Sequence, residues 1–345
     1  MSNIEWTDAT WNPVVGCRRV SPGCEHCYAE TMAGRLAHMG QRRYLDVVKL
    51  DDKGLPRGRW NGTFREVPEQ LAAPLRWRKP RRVFVNSMSD LFGEGVSDEW
   101  IAAVFGVMAA TPQHTYQILT KRAERMAQWF ADEKSYDIPQ AACAALDRIG
   151  FERGCGSAFD PDAWPIPNVH IGVSVEDQPR ADERIPHLLR VPAAVRFLSV
   201  EPMLGPVDLT RVLLKKSPDL GADVTFDALQ GWYGGAEQGK RTSISWVIVG
   251  GESGPGARPC DVAWIRSIVA QCKAAGVPCF VKQLGARPTC GDCGDTGIDD
   301  DDLCPKCAWF ERDARSGRIT LGDRKGGNWD EWPEDLRVRE WPVTP

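Results

Sequence analysis

The sequence predicts an α/β protein on a parallel sheet: a partial (β/α)6–7 TIM-type barrel with inserted loops and a small C-terminal zinc knuckle. Three observations predict it. Short β-branched runs alternate with amphipathic segments six or seven times, the pattern of strands joined by crossover helices. The predicted strands end in small or polar residues, on the rim where parallel folds collect their chemistry. Two C-x2-C hooks near the end of the chain have the spacing of a zinc ribbon.

The elements follow in order along the 345 residues, enough for one large barrel or two ordinary domains. "TWNPVVG" (10–16) reads as the first strand and "EHCYAETMAGRLAHMG" (25–40) as its helix. "RRVFVNS" (81–87) is a buried strand, and "SDEWIAAVFGVMAATP" (97–112) a helix capped by Ser97 and closed by Pro112. "HTYQILT" (114–120) and "KRAERMAQWFADE" (121–133) repeat the pair. "NVHIGVSV" (168–175) and "AVRFLSVEP" (194–202) are strands flanking the helical "QPRADERIPHLLR". "ISWVIVGGESG" (244–254), "DVAWIRSIVAQCKAAG" (261–276) and "VPCFVKQLG" (277–285) complete the set as strand, helix and strand. Residues 40–66 and 205–243 break the alternation and read as insertions or long loops. The expected division is a barrel over 1–287, a knuckle over 288–309 and a tail over 310–345. That tail packs on the barrel through Trp329, Trp332 and Trp341.

Composition narrows the function classes. Hydrophobic content of 42% and charged content of 26% are those of a globular protein. No run of about 18 apolar residues offers a membrane span, and "MSNIEWTDATW" is not a secretory signal, so a cytoplasmic location is expected. Twelve cysteines in that setting point to metal rather than to cross-links. Cys272 and Cys279 lie in apolar contexts and read as buried thiols. A net charge of −4 excludes a general polycation. Local basic stretches remain, with Arg57 and Arg59 beside Trp60, and Arg76, Arg78, Lys79, Arg81 and Arg82 around Trp77. They suit nucleic-acid phosphates, with a solvated loop as the plainer alternative.

Cys17, Cys24 and Cys27 form C-x6-C-x2-C between the first strand and its helix. Three thiolates from one loop hold a [4Fe–4S] cluster by three irons and leave the fourth open, whereas iron–sulfur clusters usually take four cysteines. A Cys3His zinc site that recruits His26 is the alternative. The second cluster, Cys290, Cys293, Cys304 and Cys307, is C-x2-C-x10-C-x2-C. It reads as a closed structural zinc site, with an auxiliary iron–sulfur cluster as the alternative. The Asp299–Asp302 run between its hooks repels phosphate. At the predicted rim, Glu201, Glu252, Lys282 and Gln283 are candidates to move protons or hold substrate.

The segment "NP..GC......GC.HCYAE" resembles the cluster loop of radical S-adenosylmethionine (SAM) enzymes. It is closest to the branch of spore photoproduct lyase and to phage Gp37/Gp68-type proteins. The resemblance covers roughly residues 10–285 and implies a partial barrel. It also implies a cluster whose open iron binds SAM and cleaves it to a 5′-deoxyadenosyl radical that abstracts hydrogen from substrate. By the same resemblance, Lys121 and Ser174 would hold the SAM carboxylate, and Ser87 or Ser89 its amino group. Glu201 would approach the ribose, and Gly250 and Gly251 the adenine. The usual C-x3-C-x2-C is widened here to six residues, and the aromatic residue usual before the last cysteine is His26, with Tyr28 just after it. His26 would stack on the adenosine or serve as a ligand. The implied substrate is a nucleobase in DNA, a modified thymine to be rearranged or a lesion to be reversed, flipped into the barrel mouth. The implied setting is a bacterial or phage-infected cell, with flavodoxin or ferredoxin as electron donor. A non-catalytic nucleic-acid-binding module with two zinc sites is the competing reading.

Overall fold

The computed structural model describes residues 4–131, 144, 165–215, 223–231, 242–290, 312–313 and 318–343. The first strand divides in two, β1 (Ala9–Trp11) and β2 (Val14–Val15). Pro13 between them has no N–H to give a ladder, and Asn12 turns its side chain to the end of a neighbouring strand. The cysteine loop follows, then helix α1 (Tyr28–His38).

The first insertion is ordered. It holds α2 (Arg42–Leu45), an antiparallel hairpin of β3 (Val48–Leu50) and β4 (Pro56–Trp60), and β5 (Arg65–Glu66), which pairs with β2. Helix α3 (Pro68–Leu71) leads to β6 (Arg82–Val85). Helix α4 (Asp98–Ala109) starts where expected, with Ser97 Oγ accepting the Trp100 N–H at 3.3 Å. Such a cap contributes about 1 kcal/mol. Nine consecutive residues of α4, Trp100 to Met108, are buried. A helix apolar on nearly all sides belongs in a core. Strand β7 (Thr115–Thr120) precedes α5 (Ala123–Ala131). That helix begins two residues later than the pattern suggests, because the Lys121 and Arg122 N–H groups are taken by Asp90 and by Thr120 Oγ1.

The remainder is β8 (Val169–Ser174), α6 (Gln178–Leu188), β9 (Val195–Val200), the antiparallel pair β10 (Val212–Lys215) and β11 (Val224–Phe226), and β12 (Trp246–Gly250). Then come β13 (Cys260–Asp261), α7 (Val262–Ala275), β14 (Cys279–Gln283), β15 (Pro288–Thr289), β16 (Arg312–Asp313) and β17 (Arg318–Ile319). Asp261 caps α7, accepting the Ala263 N–H at 2.9 Å, and Gly276 closes it with φ 68°. A left-handed closing residue favours glycine.

Seven strands form one sheet in the order β1-β6-β7-β8-β9-β12-β14. The pairings with defined register are all parallel. A seven-stranded parallel sheet with crossover helices is the α/β architecture expected, and it is compatible with a partial barrel. The chain divides into two compact units: residues 1–173 with 190–196 and 344–345, and residues 174–189 with 197–343. In the second unit part of the tail lies against β14, while Trp341 stays exposed. Trp332 is buried and donates to the Gly326 carbonyl at 3.1 Å, and the Val281 N–H donates to the Val338 carbonyl. Cys272 and Cys279 are buried thiols.

Candidate functional site

In the first unit the cysteine loop leaves β2 through Gly16, whose φ is 89°. A Cβ there would stand 2.2 Å from the Thr63 carbonyl oxygen, so the turn admits only glycine. Cys17 follows, Cys24 ends a 3-10 turn (Pro22–Cys24), and Cys27 is the N-cap of α1. All three thiols are half-buried. Burial pushes Cys17 up to about 12, with the Asp90 charge adding to it and Arg122 opposing. Burial also raises Cys27, against the backbone N–H groups of Glu30 and Ala29. Cys17 feels the charge of Cys24 and Cys27, and Cys27 that of Cys24, so the three sulfurs are electrostatically linked. Among the described residues no set of three or more His, Cys, Asp or Glu side chains converges to hold a single metal ion.

A buried ion pair lies against this loop. Arg122 donates to Asp90 Oδ2 at 3.0 Å, to Glu94 Oε1 at 3.2 Å and to the Arg18 carbonyl at 3.0 Å. Its Nη1 also approaches Cys17 Sγ at 3.8 Å, and the guanidinium lies 5.3 Å from the Phe64 ring centre. Burial works against its charge, and Asp90, Cys17 and Glu94 overcome that and keep it protonated. Asp90 is tied down in turn by Thr120 Oγ1 (2.7 Å) and the Lys121 N–H (3.0 Å). On the other side, Glu30 of α1 pairs with Arg19 and accepts the Trp60 N–H at 3.3 Å. This pins the six-residue arc between Cys17 and Cys24 to the helix that starts at Cys27.

The end of β6 completes the rim of this unit. Asn86 has φ 61°, a left-handed conformation that asparagine tolerates better than most residues. Ser87 Oγ donates to Asn12 Oδ1 (3.2 Å), Ser89 Oγ to the Val14 carbonyl (3.0 Å), and Tyr28 Oη to the Ser87 carbonyl (2.9 Å). Both serines expected at SAM therefore border the cysteine loop, and the Tyr28 ring and His26 are exposed there. The Lys121 backbone joins the network through Asp90. The residue of this segment that reaches a cysteine is its neighbour Arg122, which the sequence reading did not single out.

The second unit has its own strand-end group. Lys282 Nζ meets Glu201 Oε1 at 3.0 Å. A Cβ on Gly250 would lie 2.9 Å from that same Glu201 oxygen, and one on Gly251 would lie 2.3 Å from the Leu284 carbonyl oxygen. Gln283 Nε2 donates to the Gly251 carbonyl at 2.8 Å. Both carboxylate oxygens of Glu252 receive Arg258, at 3.0 and 2.6 Å, so this candidate acid braces its own loop. Ser174 is buried, and its carbonyl takes Arg184, which pairs with a fully buried Glu176 at 2.9 Å.

The basic candidates separate. Arg57 and Arg59 lie on β4, which packs on α1. Arg76, Arg78, Lys79 and Arg81 precede β6 and are exposed at its amino end, the end away from Asn86 and the cysteine loop. Arg82 pairs with Asp8 and Arg81 lies 5.1 Å from the Trp77 ring centre. Cys290 is buried, whereas Cys293, Cys304 and Cys307 lie outside the described residues.

A model of the family described as "Protein of unknown function (DUF5131)" matches residues 1–333. The chain belongs to that family. No curated protein and no solved structure matches it. In this DUF5131 chain the cysteine loop, both insertions and the paired strand-end residues all fall inside the matched span. No described helix is long and apolar enough to cross a membrane.

Proposed function

We propose that the chain is a radical SAM enzyme that modifies a nucleobase in DNA, with a modified thymine as the favoured substrate. The observation that carries the proposal is the gathering of Cys17, Cys24 and Cys27 at the start of α1, with Arg122 aimed at Cys17 Sγ. A [4Fe–4S] cluster takes each thiolate on a different iron, so it does not require three sulfurs to converge on one point. When bound, the cluster supplies the electron that cleaves SAM to methionine and a 5′-deoxyadenosyl radical able to abstract hydrogen.

The chain's own residues prepare that site. Burial holds the Cys17 and Cys27 thiols in their protonated form, so metal binding at these two releases protons and couples loading to pH. Arg122 supplies a fixed positive charge to offset the negative charge of the thiolates. The α1 N-terminus adds backbone N–H groups at Cys27. Arg19, Glu30 and the Trp60 N–H hold the arc in place, so the loop is shaped before anything binds. Ser87, Ser89 and Tyr28 border the loop and would orient SAM there. In the second unit, Glu201 and Lys282 form a hydrogen-bonded acid–base pair able to hold or relay a proton, and Gly250 leaves room beside them.

The test is anaerobic. Purified protein is expected to be brown, with about four irons and four sulfides per chain. Reduced with dithionite and given SAM, it is expected to release 5′-deoxyadenosine, and faster with DNA present. Colourless protein with zinc alone would overturn the proposal in favour of a zinc-containing nucleic-acid-binding module. Restoration of damaged thymines, with no change to modified ones, would replace rearrangement by lesion repair.

A further inference from the structure

The described residues expose ten large hydrophobic side chains, and seven of them fall between residues 20 and 55. They are Val20 in the cysteine loop, Tyr28 and Met32 on α1, Met39 capping its end, Leu45 ending α2, and Leu50 and Leu55 on the hairpin. Positions 28, 32 and 39 lie on one face of a helix, at i, i+4 and i+11. That face is turned away from the core. The opposite side, with Ala29, Ala33 and Ala37, is buried against Tyr44, Val47 and Trp60. Scattered exposed apolar residues are ordinary, but a concentration of most of them in one stretch of chain points to an interaction surface.

The same region is strongly basic. Residues 18–65 hold ten Lys and Arg against five Asp and Glu, whereas the whole chain carries −4. Arg35 and Arg42 are exposed beside the apolar stripe. Met, Tyr and Arg together are the mixture enriched at protein–protein interfaces. Exposed methionines and leucines at this density suit a protein partner better than a phosphate backbone. The support is also stiff: a Cβ on Gly34 of α1 would stand 2.8 Å from the Gly58 Cα of β4, so helix and hairpin meet backbone to backbone. The surface runs directly into the cysteine loop, since Val20 lies between Cys17 and Cys24 and Tyr28 follows Cys27.

We infer that the exposed face of α1, α2 and the hairpin is the docking surface for a small acidic electron-carrier protein, which delivers electrons to the cysteine loop. The inference rests on the cluster proposed above. The basic rim steers an acidic carrier and sets its on-rate, and the apolar stripe holds it once landed. Electrons then reach the loop from the solvent side, where Val20 and Tyr28 are exposed.

The experiment compares two reductants on the cluster-loaded protein. Dithionite needs no docking surface, whereas photoreduced flavodoxin, an acidic flavoprotein, does. The variants are Met32→Asp/Met39→Asp and Arg35→Glu/Arg42→Glu, each checked by thermal melting. Both are expected to slow reduction by flavodoxin at least tenfold and to leave the dithionite rate unchanged. The charge variant is expected to flatten the salt dependence as well. Equal flavodoxin rates in wild type and variants overturn the docking surface while leaving the cluster intact. Lost binding of a labelled DNA duplex, with flavodoxin rates unchanged, reassigns the surface to nucleic acid and overturns it too. A wild-type protein with no chromophore that dithionite reduces defeats the cluster reading, and this inference with it.

Discussion

The two units treat buried charge in opposite ways. In the second, each strand-end carboxylate is matched by a cation: Glu176 by Arg184, Glu201 by Lys282, Glu252 by Arg258. Such pairs answer each carboxylate with one cation. In the first, Arg122 satisfies Asp90 and Glu94 and still extends to a cysteine sulfur. A cation with reach beyond its own carboxylates is arranged for a further negative group. The contrast fits the proposed reading, in which the first unit's loop receives an anionic group such as a thiolate-bound cluster.

The sharpest way to break this contrast is to remove the thiols. Cys17→Ala, Cys24→Ala or Cys27→Ala is expected to abolish iron binding, visible colour and 5′-deoxyadenosine formation, whereas Cys272→Ala leaves the iron content unchanged. Metal analysis and absorbance decide it. The next effect in size is on Arg122. Arg122→Leu strands the buried Asp90 charge, and breaking a buried pair costs about 3–5 kcal/mol. Chemical denaturation should show this loss, and Arg122→Lys should recover part of it. If Arg122→Leu were no more harmful than removal of an exposed pair in the same unit such as Arg82–Asp8, Arg122 would not be the buried anchor described above.

Acid offers a third test. Burial holds His170 down to about 4, from an ordinary value near 6.5, and neither ring nitrogen has a partner among the described residues. The unfolded chain therefore binds a proton that the folded chain refuses. Stability is complete above about pH 6.5 and drains away as the pH falls toward 4, by about 3 kcal/mol from this group. Urea titrations across that window should show the slope, and His170→Phe should flatten it. Gly34→Val is smaller, at about 1–3 kcal/mol from forced separation of α1 and β4. It should also lower iron retention, because α1 carries Cys27. Smallest is Lys282→Met, at about 1–2 kcal/mol for a half-buried charged hydrogen bond. Its larger consequence is expected in turnover with DNA.

Much of the scaffold was legible because its signals are local. Ser97, Asp261 and Gly276 stand at helix ends as their chemistry requires, and the strands carry continuous apolar runs. The cysteine trio was legible for the same reason, lying within eleven residues. The hairpin at 48–60 was not. Its second strand, "PRGRW", carries a proline, a glycine and two arginines, and its fit of Gly58 against Gly34 joins residues far apart in sequence. The polar network was hidden because its partners are far apart in sequence: Arg122 meets Cys17 across 105 residues and Asp90 across 32. No periodicity records such a meeting. Likewise, the basic run before β6 looks like Arg57 and Arg59 in composition, yet strand direction places it at the amino end of β6, away from the cysteine loop.

The hairpin that the alternation skips has a mechanical consequence. Through the Trp60 N–H it grips Glu30, and through Gly58 it sits against Gly34, so it splints the helix whose first turn carries Cys27. Trimming residues 46–61 to a short turn would look harmless on a map of strands and helices. It would leave that helix unsupported on one flank and release Glu30 from its backbone anchor. A relative lacking this splint would have to stiffen the same helix by other means.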